Sequence, residues 1–219
     1  MKRKIAFVHF GKCAGVKTNK LFKRACAKKN IPVYTWDTPI PNIERDWSNI
    51  ELKLLSDLEK GYVHNHHVSW SKENIQLYNK KGWETFTFLR NPKDLICSLY
   101  FWSRKVLEEK GESPLKGNPT ESSGTLDEFV RSIVSEESKN MRRLFIPQPY
   151  IWSEVKHVAT FSEDKLWDLL KTFGLYDEDL DDLWRGAKAN VSGNKGWDHY
   201  VDVGLISGKS VDAVEKLLK

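Results

Sequence analysis

The chain is short of cysteine, of methionine and of long apolar runs. Its 219 residues include three cysteines (Cys13, Cys26 and Cys97) and two methionines. Three widely spaced cysteines exclude a disulfide scaffold. With no Cys-x-x-Cys pair and no Cys/His spacing, the sequence has no zinc-site pattern, and no metal is expected. A reducing compartment is the simplest reading of that usage. Near the N-terminus the apolar run Ile5 to Val8 stops at His9, too short for a signal peptide or a membrane span. The expectation is a soluble, cytoplasmic protein with no membrane partner. Charge of one sign is not in great excess either: 35 Lys and Arg face 30 Asp and Glu, a net charge of +5. That balance is not the footprint of a histone-like protein. It suits a site for an anionic small molecule as well as it suits nucleic acid; of the two, the small molecule is the expected partner, with no nucleic acid. Internal repeats are absent.

What the chain does have is an alternation of strand-like and helix-like segments. Residues 4–10 read as a buried strand, 16–29 as a helix with Leu21, Phe22 and Ala25 on one side, and 32–36 as a second strand. A helix is expected over 46–60 and is ended by Gly61, with "YVHNHHV" as a third strand. "SWSKENIQLYNKKG" predicts a short helix closing at Gly82, and "ETFTFLR" is the clearest strand. Pro92 then opens a helix that runs to about Lys110. The Gly-, Pro- and Ser-rich stretch at about 110–125 reads as a mobile loop. Thr125 and Glu128 form a capping box for the next helix, and "HVATF" is a late strand before a helix capped by Ser162. The pattern predicts a single α/β domain over 1–219, with a central, mainly parallel sheet flanked by helices. Ligands of such sheets bind at the carboxyl ends of the strands.

Three segments with chemistry fall at such ends. In "FGKCAGVKT", Gly11 and Gly15 permit tight turns, the following helix presents free N–H groups and a positive dipole end, Lys12 adds a charge and Thr18 a hydroxyl. The spacing is not that of the Gly-x4-Gly-Lys-Ser/Thr phosphate loop. In "FTFLRNPKDLICSLY", Arg90 at a strand end and Ser98 on the next helix can grip one phosphate together. In "VHNHHVSW", strand alternation puts His64 and His66 on one face and His67 on the other, candidates for a general base.

Together these segments resemble the sulfotransferases that use 3′-phosphoadenosine-5′-phosphosulfate (PAPS), especially the carbohydrate sulfotransferases. "FVHFGKCAGVKT" stands where many of them have a strand followed by Pro-Lys-Thr-Ala-Gly-Thr-Ser. "FLRNPKDLICSLY" reproduces their Leu-Arg-Asn-Pro, acidic residue and Ser eight positions after the Arg. "HHVSW" is similar to the His-Val-Ser-aromatic segment of the glycan 2-O-sulfotransferases, and "NVSGNKGWDHY" to the closing cofactor loop. Gly11, Cys13 and Val16-Lys17 depart from the usual Pro, Thr and Thr-Ser, which thins the hydroxyls expected beside the phosphosulfate.

The resemblance implies a P-loop NTPase-like sulfotransferase fold and in-line transfer of a sulfuryl group from PAPS to an acceptor hydroxyl or amine, on a small molecule or a glycan, leaving 3′-phosphoadenosine-5′-phosphate (PAP). The segment Gly11, Lys12, Cys13, Ala14, Gly15, Val16, Lys17 and Thr18 would hold the 5′-phosphosulfate, with Lys12 neutralising charge on the leaving phosphate. Arg90 and Ser98 would hold the 3′-phosphate, with Lys195 and Gly196 reaching the cofactor. His67 is the expected base, with His66 and His64 in reserve. Two alternatives stand beside this reading: a divergent P-loop nucleotide kinase or ATPase, and a non-catalytic polyanion-binding module.

Overall fold

The computed structural model describes residues 3–9, 13, 15–35, 53, 55–64, 70–115, 124–138, 152–186 and 195–218. Five strands, β1 (Lys4–Phe7), β2 (Val33–Thr35), β3 (Gly61–His64), β4 (Glu84–Leu89) and β5 (His157–Thr160), form one sheet in the order β2-β3-β1-β4-β5. Every neighbouring pair is parallel. The expected mainly parallel sheet is therefore wholly parallel among the described residues. Its central strands read as continuous apolar runs because both faces are covered. On β1, Ile5 and Phe7 enter one core while Ala6, and Val8 just beyond it, enter another.

The first face is covered by α1 (Gly15–Lys28), α5 (Glu163–Thr172) and α6 (Asp179–Gly186). From these come Leu21, Phe22 and Ala25, then Leu166 and Leu170, then Leu180, all in one buried cluster. Phe22 is the centre of that packing, with its ring 4.6 Å from Phe86 and 5.3 Å from Tyr62 between centroids. The second face carries α2 (Lys72–Lys80), whose Ile75 and Tyr78 pack with Trp70, Trp83 and Val155. The Trp83 indole N–H donates to the Ser56 carbonyl at 2.9 Å, so this large side chain is buried with its polar atom satisfied. Ser162 caps α5 as the sequence predicts, accepting from the Lys165 N–H, and Ser71 caps α2 by accepting from the Asn74 N–H.

The chain divides into two compact units, the sheet unit of residues 1–89 with 147–189 and a helical unit of residues 90–146 with 190–219. The helical unit contains α3 (Pro92–Lys110), α4 (Leu126–Val134), α7 (Trp197–Asp202) and α8 (Gly208–Leu218) around a core of its own, in which Ile96, Leu99, Phe129, Val130, Trp197 and Val214 are buried. α3 begins at Pro92 and ends against Gly111, whose φ of 71° supplies the left-handed cap; its N–H donates to the Leu107 carbonyl at 2.8 Å. The Thr125–Glu128 capping box at the head of α4 is formed in both directions. Of the stretch at 110–125, Lys110 closes α3 and Leu115 is buried, whereas 116–123 lie outside the described residues.

One expected boundary is corrected. Over 46–60 the described residues Lys53 and Leu55 are helical, but 56–60 form turns and bends, and Gly61 opens β3 rather than ending a helix. Its N–H donates to the Arg3 carbonyl at 2.8 Å and it pairs in register with Lys4. Only glycine fits there, since a β-carbon would stand 2.7 Å from the Tyr34 ring. Sheet pairing thus outranks the helical periodicity upstream. Among the described residues, no helix is long and apolar enough to cross a membrane.

In the helical unit, Asp127 on the first turn of α4 holds the start of α8. Its Oδ1 accepts from the Ser207 N–H at 2.8 Å and the Ser210 hydroxyl at 2.7 Å. Burial alone would raise this carboxyl, but those hydrogen bonds, with Arg131 nearby, outweigh it and hold the group below its ordinary value. A depressed folded value means the contribution to stability is fully present above the unfolded pKa, about 3.9, and is lost as pH falls through the folded value. Urea unfolding at pH 6 and pH 3 is therefore expected to show a larger acid-induced loss for the wild type than for Asp127→Asn; equal losses would show that the carboxylate's charge contributes nothing here.

Candidate functional site

In the sheet unit, β1 ends at Phe7 and α1 begins at Gly15. Alternation that puts Phe7 on the α1 face puts His9 on it too, and on β3 it pairs Tyr62 with His64 on that face. His64 lies beside Phe7 and Thr35 in the strand register. The rings stack: Phe7 to Phe86 at 4.7 Å, Phe7 to His64 at 5.1 Å and Phe7 to His9 at 5.2 Å. His64, 3% exposed, brings its Nε2 to 3.2 Å from His9 Nδ1. The carboxyl edge of β1 and β3 is thus a histidine pair seated on a phenylalanine.

The other side of His9 meets α1. A β-carbon on Gly15 would stand 1.8 Å from His9 Nε2, so a side chain there and the imidazole exclude each other. To the tight turn expected of Gly15 the structure adds this further reason for glycine. The sequence marks His9 only as the residue that ends an apolar run. Two signals point to it: its spacing of two from Phe7, and the glycine six residues on that leaves room for a ring.

Along α1 the expected anion-binding residues separate. The first turn has no acidic residue. Thr18 is 0% exposed, and its hydroxyl has no hydrogen-bond partner among the described residues. Lys17 is turned to the side: its Nζ lies 3.3 Å from the centre of the Trp184 ring on α6, a cation–π contact of about 0.5–2 kcal/mol. Val16 is 59% exposed, and Cys13 is buried. Gly11, Lys12, Ala14, His66 and His67 lie outside the described residues.

In the helical unit the second expected segment is assembled around the first turns of α3. Asn91 caps the helix by accepting from the Lys93 N–H at 2.9 Å, Pro92 follows, and Arg90 is the residue between β4 and that cap. Asp94 reaches across 103 positions of sequence to accept from the Trp197 N–H at 2.8 Å. Gly196 has φ 94°, and a β-carbon there would stand 3.3 Å from the Asp94 carboxylate. The Lys195 N–H donates to the Tyr200 hydroxyl at 2.9 Å. Ser98, 3% exposed, sits one turn beyond Asp94 on the same face. Lys195 and Gly196 are therefore brought to the helix that carries Ser98 and follows Arg90, through the aspartate that is the acidic residue of the Leu-Arg-Asn-Pro segment. Cys97, beside Ser98, is pushed up to about 12, first by burial and then by Asp94, with Arg90 opposing; Cys26 in the sheet unit is likewise pushed up to about 12 by burial. Both are inert thiols at neutral pH.

The His9–Gly15 contact is testable as a coupling. Placing a methyl against the half-buried, stacked His9 ring costs about 1–3 kcal/mol, while replacing glycine by alanine in a helix gains up to about 1 kcal/mol. Gly15→Ala is therefore expected to destabilise the wild type but to be neutral or stabilising in a His9→Ala background, read by urea unfolding of the four proteins. Additive effects would mean the two residues do not meet.

The chain matches no protein-family model, no curated protein and no solved structure.

Proposed function

We propose that the protein is a PAPS-dependent sulfotransferase of P-loop NTPase-like fold, moving a sulfuryl group to an acceptor hydroxyl or amine by in-line displacement. The observation that carries this reading is the hydrogen bond from the Trp197 N–H to Asp94. Arg90 with Ser98 and Lys195 with Gly196 are two segments about a hundred residues apart, the first able to grip a phosphate and both assigned to the cofactor by the resemblance; that bond brings Lys195 and Gly196 to the helix that starts just after Arg90. The sheet supports the same reading. β3 and β2 lie on one side of β1, and β4 and β5 on the other, so the strand order reverses beside β1. The carboxyl end of a strand at such a reversal is where open parallel sheets bind ligands. The start of α1 adds a helix N-terminus without acidic residues and the buried Thr18 hydroxyl, which has no partner among the described residues.

In this function Lys12 and the N–H groups at the head of α1 neutralise the 5′-phosphate as it becomes the leaving group. Arg90 and Ser98 take the 3′-phosphate, which marks PAPS off from ATP. Lys17 is engaged by Trp184. A histidine of the 64–67 run takes the acceptor's proton; the resemblance favours His67, with His66 and His64 in reserve. The acceptor is a small molecule or a glycan.

PAP should therefore stabilise the fold, by about 2.7 kcal/mol at one hundred times its dissociation constant, and a thermal-shift assay should rank it above ATP and AMP. Equal shifts from all three would favour a kinase or a general polyanion binder. Arg90→Ala should weaken PAP binding by about 1.5–3 kcal/mol, the range for hydrogen bonds to charged groups, with Ser98→Ala acting in the same direction but less. An unfolded Arg90→Ala, or one with unchanged PAP affinity, would make the arginine structural.

A further inference from the structure

The segment that carries Lys195 is tied to α3 at two points. Asp94 Oδ1 accepts from the Trp197 N–H at 2.8 Å. The Tyr200 hydroxyl accepts from the Lys195 N–H at 2.9 Å, and the Tyr200 ring rests on Phe101 of α3 with centroids 5.1 Å apart. Asp94, Ser98 and Phe101 stand at i, i+4 and i+7, one stripe of that helix. Residues 195–200 thus meet the stripe on both sides of Ser98. The first tie also completes α7. Its N-cap is Gly196, from which no side chain accepts a hydrogen bond. Asp94 supplies from another helix the acceptor that an N-cap side chain ordinarily gives.

We propose that Asp94 is a positioning residue that brings Lys195 to the phosphate held by Arg90 and Ser98, and that this tie sets the preference for nucleotides carrying a 3′-phosphate. The inference rests on the sulfuryl-transfer reading and deepens it. Lys195 spends its N–H on Tyr200, so what it has to offer an anion is its ammonium, and its side chain is exposed. Arg90 stands just before α3, and Ser98 lies one turn beyond Asp94. A phosphate gripped by those two therefore sits on the helix to which Lys195 is tied, where a second cation answers the charge that the 3′-phosphate adds. Asp94 itself has the wrong sign for such a site. A carboxylate one turn from a bound phosphate repels it, so the benefit of Asp94 lies in what its oxygen holds in place. Oxygen and charge can be separated. An amide oxygen at this position still accepts from the Trp197 N–H, without the repulsion. A methyl leaves that N–H without its acceptor and releases the chain that carries Lys195. Asp94 acts through Lys195, away from the reacting sulfur.

Calorimetric titration of the full chain with PAP and with AMP, which lacks only the 3′-phosphate, measures the preference as the ratio of the two dissociation constants. The wild type is expected to prefer PAP. K195A, at an exposed side chain, should lower the ratio by about tenfold, the low end of what a hydrogen bond to a charged group contributes. D94A should lower it by a similar factor, and D94A/K195A by no more than either change alone. D94N should keep the wild-type ratio or exceed it. Y200F keeps the ring on Phe101 but removes the acceptor of the Lys195 N–H, and should lower the ratio by a smaller factor. An aspartate that merely holds the fold would weaken both ligands alike, so an unmoved ratio in D94A would overturn the proposal. So would additive losses in D94A/K195A, or a D94N as impaired as D94A. Should D94A fail to fold, K195A and Y200F decide, and an unmoved ratio in either overturns the proposal. A wild-type preference for PAP that survives these substitutions removes Asp94 from the site and leaves the sulfuryl-transfer reading standing. If the wild type binds PAP and AMP alike, that reading falls and the proposal with it.

Discussion

The sheet unit depends on the placing of one ring. Phe7 is wholly buried on the central strand and stacks on Phe86 on one side and on the two histidines at the strand's carboxyl edge. Burying a side chain of this size is worth about 1.5–3 kcal/mol. Its position also settles what can lie around it. Phe86 carries Phe22 of α1, which fixes the helix against the sheet. With the helix fixed and His9 held by Phe7 and His64, the first residue of α1 has no room for a β-carbon. The start of α1 is thus constrained by the sheet and by His9, and a polar pair is lodged between an aromatic core and a helix start.

The helical unit solves a similar problem with charge instead of aromatic area. Asp94 and Asp127 each stand in the first turn of a helix and accept backbone N–H groups from a segment that arrives much later in the chain. A carboxylate there is favoured by the dipole of its own helix, so the anchoring bond and the helix start reinforce one another. Trp197 and Val214, in the two helices so anchored, then reach the core around Phe129. In both units a position at the head of a helix is supported by tertiary packing before any ligand is considered.

Much of this was legible in the sequence because local rules decide it. Strand segments with apolar runs, Pro92 at a helix start, Gly111 past its end, the Thr125–Glu128 box and the Ser162 cap each state their conformation within a few residues. The boundary at Gly61 was not legible, for the opposite reason: its conformation answers to Arg3 and Tyr34, which lie on other strands or beside them. Lys17 is a similar case. Its place in a glycine- and lysine-rich loop pointed to an anion, but the Trp184 indole on α6, near the far end of the chain, holds its ammonium.

By itself the sequence determined the α/β alternation, most helix limits and the set of polar residues available at the strand ends, because periodicity, capping and proline or glycine geometry act over one or two turns of chain. The tertiary structure alone decided which of those residues meet. The His9–His64 pair needs β1 and β3 to be neighbours in parallel register, and the gathering of Lys195 and Gly196 onto the helix that follows Arg90 needs the Asp94 carboxylate to find the Trp197 N–H. Contacts between residues far apart in the chain leave no period and no spacing to read; they follow only once the sheet order and the packing of the cores have set the distances.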